Sequence, residues 1–382
     1  MIRFFKASMN YEAFLNYVHK KHPGITAKSY KEYSDLLFSY AFAESNFFKL
    51  NLEKTGSYVV EEVISNERAL QKKWAAENGV NYTESNWYYE ILEAQLLKFK
   101  PDVFFAHDHR TLAKGFLNRV RHLLPGLKLI LGWDGIDVEN AALLFADVDI
   151  VLTPADFITA KYGDIKKIAY TLPFTFESSI VSRLTRERQA EDVCFVGSVS
   201  LNKDGHFQRK DLLISLMKQT NIGLYLSGST DAFQSVPNKP LLSLIKRNKL
   251  KDVADIYRLS RRSKGSLFGI DMYQKFYNSK ITINNHGDAA GDNAGNIRLF
   301  EATGTGTCLL TDYKKNLEDF FEIDKEIVVF KDPADCIKKI NYLLQNEDKR
   351  MAIAAAGQKR TLNEYSYAQR MNKLDRIIKE NL

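Results

Sequence analysis

The sequence predicts an α/β protein built from two parallel-sheet domains in series, with a helical elaboration at the amino terminus. Three observations predict it. From Pro101 onward, short runs that are apolar throughout recur as Pro101-Asp-Val-Phe-Phe-Ala106, Lys128-Leu-Ile-Leu131 and Asp149-Ile-Val-Leu-Thr153, which is how a strand covered on both faces reads. Segments of helical texture separate them, so strands and helices alternate. After Leu172-Pro-Phe174 and a charge-rich stretch through Asp192, a second series of the same kind begins. At 382 residues the chain exceeds one ordinary core and suits two domains of about 150–200 residues.

Residues 1–100 read mainly as helices. Tyr11, Phe14, Leu15 and Val18 recur at i, i+3, i+4, i+7, and Tyr33, Leu36, Leu37, Tyr40 and Ala41 repeat the spacing. Residues 56–64 predict a turn into a short strand, and 69–77 and 87–99 predict helices. The aromatic residues here (Tyr11, Tyr17, Phe47, Phe48, Trp74, Trp87, Tyr88, Tyr89) read mostly as helix core. In the second series Val193-Cys-Phe-Val196 leads into Gly197-Ser198, and Gly223-Leu-Tyr-Leu226 into Ser227-Gly228. Ile281-Thr-Ile-Asn284 leads into a loop over 285–296, Cys308-Leu-Leu310 into Thr311-Asp312, and Glu326-Ile-Val-Val-Phe330 into Lys331-Asp-Pro333. Helices are expected over 335–344 and 367–379. The domains are therefore set at 1–175 and 176–366, with a terminal helix over 367–382 packing back on the first.

Composition excludes several classes. Gly (20) and Pro (8) are too few for a low-complexity chain. No apolar run approaches the roughly 20 residues that cross a bilayer, and the first residues do not form a signal peptide, so an intracellular, cytoplasmic protein is expected. Cys194, Cys308 and Cys336 are far apart with no C-x-x-C spacing, which argues against a disulfide framework or a zinc site and for buried neutral thiols. Lys+Arg 54 against Asp+Glu 47 leaves a net charge of +7. Such an excess suits nucleic acid, an anionic membrane surface or a phosphorylated small molecule. A basic cluster, Lys246-Arg-Asn-Lys-Leu-Lys251 with Arg258, Arg261, Arg262 and Lys264, reads as a solvated face or as a docking patch for anionic lipid or glycan.

The densest concentration of chemistry is His286-Gly-Asp-Ala-Ala-Gly-Asp-Asn-Ala-Gly-Asn296, followed by Ile297-Arg-Leu-Phe-Glu-Ala302. A strand feeds a small-residue loop, which feeds a helix with Asn296 as its expected N-cap. Such a loop lets backbone N–H groups approach an anion at a helix start, although glycines also serve plain surface turns. Arg298 and Glu301 are spaced i, i+3 and share a helix face. They read either as a surface ion pair or as Arg298 directed at a diphosphate with Glu301 accepting two ribose hydroxyls.

On these residues the chain resembles a known family. Asn296-Ile-Arg-Leu-Phe-Glu-Ala-Thr-Gly-Thr-Gly-Thr-Cys-Leu-Leu-Thr-Asp312, Glu326–Pro333 and Gly357…Tyr365-Ser-Tyr367 resemble the carboxyl-terminal domain of group 1 glycosyltransferases, in particular the bacterial spore-maturation-like subgroup. The resemblance runs from about Val193 to Arg376 and returns more weakly in 101–108 and 149–173. It implies a GT-B architecture: two Rossmann-like domains facing a cleft, a nucleotide-diphosphate sugar held by the second and an acceptor by the first. No tightly bound cofactor or metal is implied; a UDP- or GDP-sugar is the expected donor. Glu301 matches the family's ribose-binding Glu, Gly197 and Ser198 the turn that brings backbone to the diphosphate, and Arg209 or Lys210 the neutralising base. Asn293 stands where many relatives have a second Glu, and Ser198 where many have Arg. His286 is expected near the donor sugar or phosphate, and Phe268 and Tyr273 near the base.

Transfer requires stabilisation of the leaving diphosphate and a positioned acceptor hydroxyl. An inverting reaction further requires a general base. The candidates for that base, all past strand ends of the first domain, are His107, Asp108, His109 and Asp134; the resemblance favours His107. The expected function is transfer of a sugar to a glycan, lipid-linked or protein acceptor in bacterial surface polysaccharide or glycoconjugate synthesis, with peripheral membrane association and no nucleic acid as partner. The competing readings are a sugar-nucleotide 2-epimerase on the same scaffold and a non-enzymatic basic protein that binds nucleic acid or membrane.

Overall fold

The computed structural model describes residues 1–135, 138–187, 191–201, 207–230, 250–287 and 291–382. The chain forms two compact units, residues 1–173 with 367–382, and residues 174–366. Each contains one wholly parallel sheet flanked by helices, the two α/β units that the sequence predicts. The first sheet has six strands in the order β2-β1-β3-β4-β5-β6: β1 (Ile2–Ser8), β2 (Tyr58–Ile64), β3 (Val103–Ala106), β4 (Leu129–Trp133), β5 (Ile150–Thr153) and β6 (Ala169–Thr171). The second has five in the order β11-β10-β9-β7-β8: β7 (Glu191–Val199), β8 (Ile222–Gly228), β9 (Ser279–Asn284), β10 (Cys308–Asp312) and β11 (Val328–Phe330).

The amino terminus departs from the helical expectation. Residues 2–8 form β1, an inner strand of the first sheet, pairing in parallel with β2 on one side and β3 on the other. Arg3 and Lys6 interrupt its apolar run, which hid the strand from a reading of periodicity. Phe4 and Phe5 point to opposite faces, as a period of two demands, and both are fully buried. Phe5 joins Phe104, Ile130 and Val151 in a core closed by Leu92, Leu96, Phe116 and Val120 from helices Trp87–Phe99 and Phe116–Leu123. Phe4 faces the other layer, against Phe48, Tyr58 and Phe105. Burying each such ring contributes on the order of 1.5–3 kcal/mol. The helix Tyr367–Asn381 belongs to this second layer: Tyr367 packs on Phe47, and the Tyr58 hydroxyl donates to Asp375 at 2.7 Å.

In the second unit the core is drawn from β7, β8, β9 and β10 and from helices Arg209–Gln219, Leu250–Arg262 and Pro333–Gln345. Its packing explains the glycine of the Gly357…Tyr367 segment. A Cβ on Gly357 would lie 2.4 Å from the Glu326 carbonyl oxygen, so the helix Glu347–Glu364 closes on the backbone before β11 only through a residue without a side chain. The three thiols are free and buried, and burial pushes Cys194 up to about 11 and Cys308 and Cys336 up to about 12. They are neutral packing groups.

Candidate functional site

In both sheets the first strand of the unit has its successor on one side and the third strand on the other. The chain order therefore reverses between β1 and β3, and again between β7 and β9. The crevice outside the carboxyl ends of two such strands is where open parallel sheets bind ligands.

In the second unit, β7 runs out through Gly197, Ser198 and Val199, and β9 through Asn284 into Asn285 and His286. Arg209, the first residue of its helix, spans the two ends. Its Nη1 donates to the Ser198 carbonyl at 2.8 Å and its Nη2 to the Asn285 carbonyl, with the guanidinium 5.4 Å from the Phe195 ring centre. A Cβ on Gly197 would stand 3.1 Å from that ring and 3.4 Å from Nη1, so the glycine keeps the strand end thin where the arginine crosses. Lys210 points elsewhere: its ammonium is buried against Asp252 and lies 3.4 Å from Asp211. Of the two expected bases, Arg209 is the one at the strand ends.

His286 is held from the next strand. Its Nδ1 lies 2.7 Å from Asp312 Oδ1, and its backbone N–H donates to the same oxygen at 2.9 Å. Burial pushes Asp312 up, but the bonds and charge of His286, with Lys314 nearby, outweigh it and hold the carboxyl below its ordinary value. His286 Nε2 is buried and has no hydrogen-bond partner among the described residues. Asp312 is not among the residues that the sequence pattern marks as site candidates; its place at the carboxyl end of β10 was the available signal.

Asn296 does not cap the following helix. The helix Arg298–Thr305 starts after Ile297 with no side-chain cap, and Asn296 Nδ2 donates instead to Asn284 Oδ1 at 3.0 Å, tying the loop to the end of β9. Asn293 is half-buried in that loop; beside it, the Ala294 carbonyl accepts from Asn316 Nδ2 at 3.1 Å. Residues 288–290 of the loop lie outside the described residues. Glu301 is buried; it accepts from Tyr273 Oη at 3.0 Å and from Arg298 Nη1 at 2.7 Å. Arg298, expected to turn toward a diphosphate, is thus folded onto Glu301, with its guanidinium 4.9 Å from the Phe276 ring centre. A carboxylate has about four acceptor positions, and these two bonds use two of them. Phe268 and Tyr273 are both buried, and Tyr273 contributes its hydroxyl to Glu301 rather than an open ring face.

In the first unit the expected candidates separate. Asp108 is fully buried and committed: it accepts from Ser65 Oγ at 2.6 Å, Tyr88 Oη at 2.8 Å and the Arg110 N–H at 2.9 Å, capping the turn His109–Leu112. Asp134 is buried likewise, accepting from Tyr162 Oη at 2.9 Å and the Val138 N–H at 3.3 Å. Neither carboxylate is presented to an acceptor; both hold strand-end loops in place. His109 is exposed.

His107 is different. Its ring stacks on Trp133 (5.7 Å, 29°) and meets Phe105 edge-on, and Nε2 lies 3.0 Å from Glu44 Oε2. Glu44 also meets Lys6 Nζ at 3.0 Å and accepts a hydrogen bond from Arg370, while Lys6 lies 3.4 Å from Glu62, its register partner on β2. Burial pushes Glu44 up, but Arg370, Lys6 and His107 together hold it well below the usual carboxylate range. Burial raises Glu62 to about 7, with Lys6 offsetting only part. Burial also lowers His107, against the pull of Glu44. Lys6, Glu44, Glu62 and Arg370 escaped sequence reasoning because no local motif joins them; the one signal was charge set inside otherwise apolar segments.

In the basic cluster, residues 246–249 lie outside the described residues. Of the rest, Arg258 pairs with Asp255 at 2.9 Å and Lys264 with Glu191 at 2.5 Å, while Lys251, Arg261 and Arg262 are exposed. Among the described residues no helix is long and apolar enough to cross a membrane.

Residues 209–376 match the profile of the family described as "Glycosyl transferase-like". No curated protein matches the chain. Among solved structures, the Anabaena protein HepE in complex with UDP and glucose aligns over 100% of both chains at 11% identity, with a TM-score of 0.62. The sucrose-phosphate synthase of Thermosynechococcus elongatus aligns over 100% of this chain and 99% of its own at 10% identity and 0.60. The lipopolysaccharide outer core galactosyltransferase WaaB aligns over 100% of both at 13% identity and 0.55. Residues 209–376 thus carry the signature of the glycosyl transferase-like family, in a chain whose fold is that of the GT-B glycosyltransferases.

Proposed function

We propose that the protein is a glycosyltransferase that moves a sugar from a nucleoside-diphosphate donor bound by the second unit to an acceptor hydroxyl bound by the first. The observation that carries this reading is the switch point of the second sheet. There the Gly197-Ser198 strand end, Arg209 and His286 meet at the ends of β7 and β9, and the family-matched helix that follows carries buried Glu301. In this reading Glu301, held by Arg298, accepts the ribose hydroxyls, and the Gly197-Ser198 backbone and Arg209 offset the charge that gathers on the diphosphate as it leaves. His286, Asn293 and Asn296 line the donor loop. The bond from the anomeric carbon to the diphosphate breaks, a bond to the acceptor oxygen forms, and His107 takes the acceptor proton.

The HepE complex favours UDP as the nucleotide, with GDP as the next choice. The acceptor is a glycan, lipid-linked or protein hydroxyl in bacterial surface polysaccharide or glycoconjugate synthesis, as the spore-maturation-like resemblance suggests. The enzyme works in the cytoplasm at the inner face of the membrane and takes no nucleic acid.

Released nucleoside diphosphate, followed by a coupled assay over a panel of nucleotide sugars with and without simple glycosides and lipid-linked sugars, tests this. Release that depends on both a donor and an acceptor, and that falls at least about 100-fold in Glu301→Ala, an effect of about 2.7 kcal/mol, is the expected result. Conversion of donor alone to a free epimerised sugar would move the protein to the 2-epimerases. Salt-labile binding to nucleic acid or vesicles that ignores Glu301→Ala, with no turnover, would overturn the enzymatic reading.

A further inference from the structure

The buried cluster of the first unit holds two cations with hydrogen-bonding capacity that the described residues do not use. Arg370 is 3% exposed and Lys6 is fully buried. Glu44 is the carboxylate nearest both, and it also serves His107. Arg370 spends Nη1 on Glu44 and Tyr367, whereas Nε and Nη2 are buried with no hydrogen-bond partner among the described residues. Those two N–H groups lie on one edge of the guanidinium plane, the edge that grips a carboxylate or phosphate in bidentate fashion. The rings of Phe48, Trp133 and Tyr367 surround the group, their centres 5.2–5.5 Å from Cζ, and that edge is unspent. Lys6 Nζ, 3.9 Å from the Phe48 ring centre, likewise lacks an aligned hydrogen bond. Burial raises Glu62 to about 7, so Glu44, held low, is the more firmly ionised of the two carboxylates beside Lys6 and Arg370.

The place matches the deficit. Lys6 is on β1 and His107 just past β3, the two strands between which the first sheet reverses, and the His107 side chain is 18% exposed at the rim. Burying an arginine edge without a partner is costly, and this one lies beside residues at the reversal of the first sheet, where open parallel sheets bind ligands.

We propose that the first unit carries an oxyanion site in which the Nε/Nη2 edge of Arg370, with Lys6 and His107 beside it, binds a phosphoryl or carboxylate group. The site would select an acidic acceptor, or an acidic regulator, over a neutral one. It stands whether or not the second unit binds a nucleotide.

Calorimetric titration of inorganic phosphate into the full chain, at constant ionic strength set with chloride, tests it, with acetate as the planar counterpart. Arg370→Lys keeps the charge and loses the fork, and is expected to weaken phosphate at least tenfold. Glu44→Gln removes the internal anion that competes, and is expected to tighten phosphate several-fold. Lys325→Gln, an exposed cation outside both strand-end sites, is the control and is expected to change it less than twofold. Acetate competing with phosphate assigns a carboxylate ligand; phosphate alone binding assigns a phosphoryl one. Absence of phosphate binding to the wild type, equal binding by Arg370→Lys, or an equal loss in Lys325→Gln would overturn the proposal. Should Arg370→Lys not fold, Glu44→Gln decides: unchanged or weaker binding overturns it as well.

Discussion

The two units present the same topological feature in opposite electrostatic states. At the β7/β9 reversal the polar groups are largely answered by the protein: Arg209 by two carbonyls, His286 by Asp312, Glu301 by Tyr273 and Arg298. At the β1/β3 reversal, Lys6, Glu44, Glu62, His107 and Arg370 are crowded into an almost sealed layer, and several of their polar atoms lack aligned partners. The comparison teaches that a strand-end crevice can be prepared for a ligand in two ways. One holds an organised set of backbone and side-chain groups with spare acceptor capacity. The other stores uncompensated charge under cover, where the low dielectric makes it costly.

The contrast is sharpest in stability. Glu44→Ala strips Lys6 and Arg370 of the carboxylate they share, and breaking a buried pair in this way costs about 3–5 kcal/mol. Urea unfolding checks it; a loss below about 1 kcal/mol would mean that water already reaches the cluster.

The pH dependence of the same layer follows from its two carboxylates, which act in opposite directions. Glu62 is raised to about 7 from 4.5, so the folded chain holds its proton more tightly than the unfolded chain. The stability it contributes is full below about pH 4.5 and is lost as pH rises through 7, by about 3 kcal/mol in all. Glu44 is held low; its contribution is present above 4.5 and is lost as pH falls below that value. Glu62→Gln should therefore flatten the decline between pH 5 and 7 relative to wild type and be the more stable protein at pH 8. Parallel stability curves for the two proteins across that window would refute the assignment.

Smaller effects belong to the second unit. Gly357→Ala places a methyl group against the Glu326 carbonyl, and such overpacking costs about 1–3 kcal/mol. An unchanged melting temperature would show that the helix shifts freely. Arg298→Ala leaves Glu301 with Tyr273 and should cost on the order of 1 kcal/mol, measured in the same way; a loss as large as that of Glu44→Ala would erase the contrast between the two regions.

What could be read in the sequence follows the same division. The second unit's site lies mostly within 284–312, where strand, loop and helix succeed one another, so the local pattern brought His286, Asn296, Arg298 and Glu301 together and the family resemblance added Asn293. The wholly apolar strands were legible because burial on both faces leaves no polar alternation to misread. β1 was not, since Arg3 and Lys6 break its run: Arg3 turns its guanidinium to the Phe99 carbonyl at the sheet's end, and Lys6 is buried with Glu44 and Glu62. The first unit's cluster draws single residues from positions 6, 44, 62, 107 and 370. Long-range packing, not any local pattern, assembles it, and the same packing turned Asp108 and Asp134 into anchors for loops. Asn296 shows a milder failure, since the rule for N-caps met a stronger partner in Asn284.

The most direct test is calorimetric titration of UDP, GDP, ADP, CDP and TDP into the wild-type chain and into Glu301→Ala. One nucleoside diphosphate should bind the wild type, with melting stabilised by about 2.7 kcal/mol at 100 times its dissociation constant, and Glu301→Ala should lose most of both effects while remaining folded. A folded wild-type protein that binds none of the five, or a Glu301→Ala variant that binds as tightly as wild type, would contradict the donor site at the β7/β9 reversal.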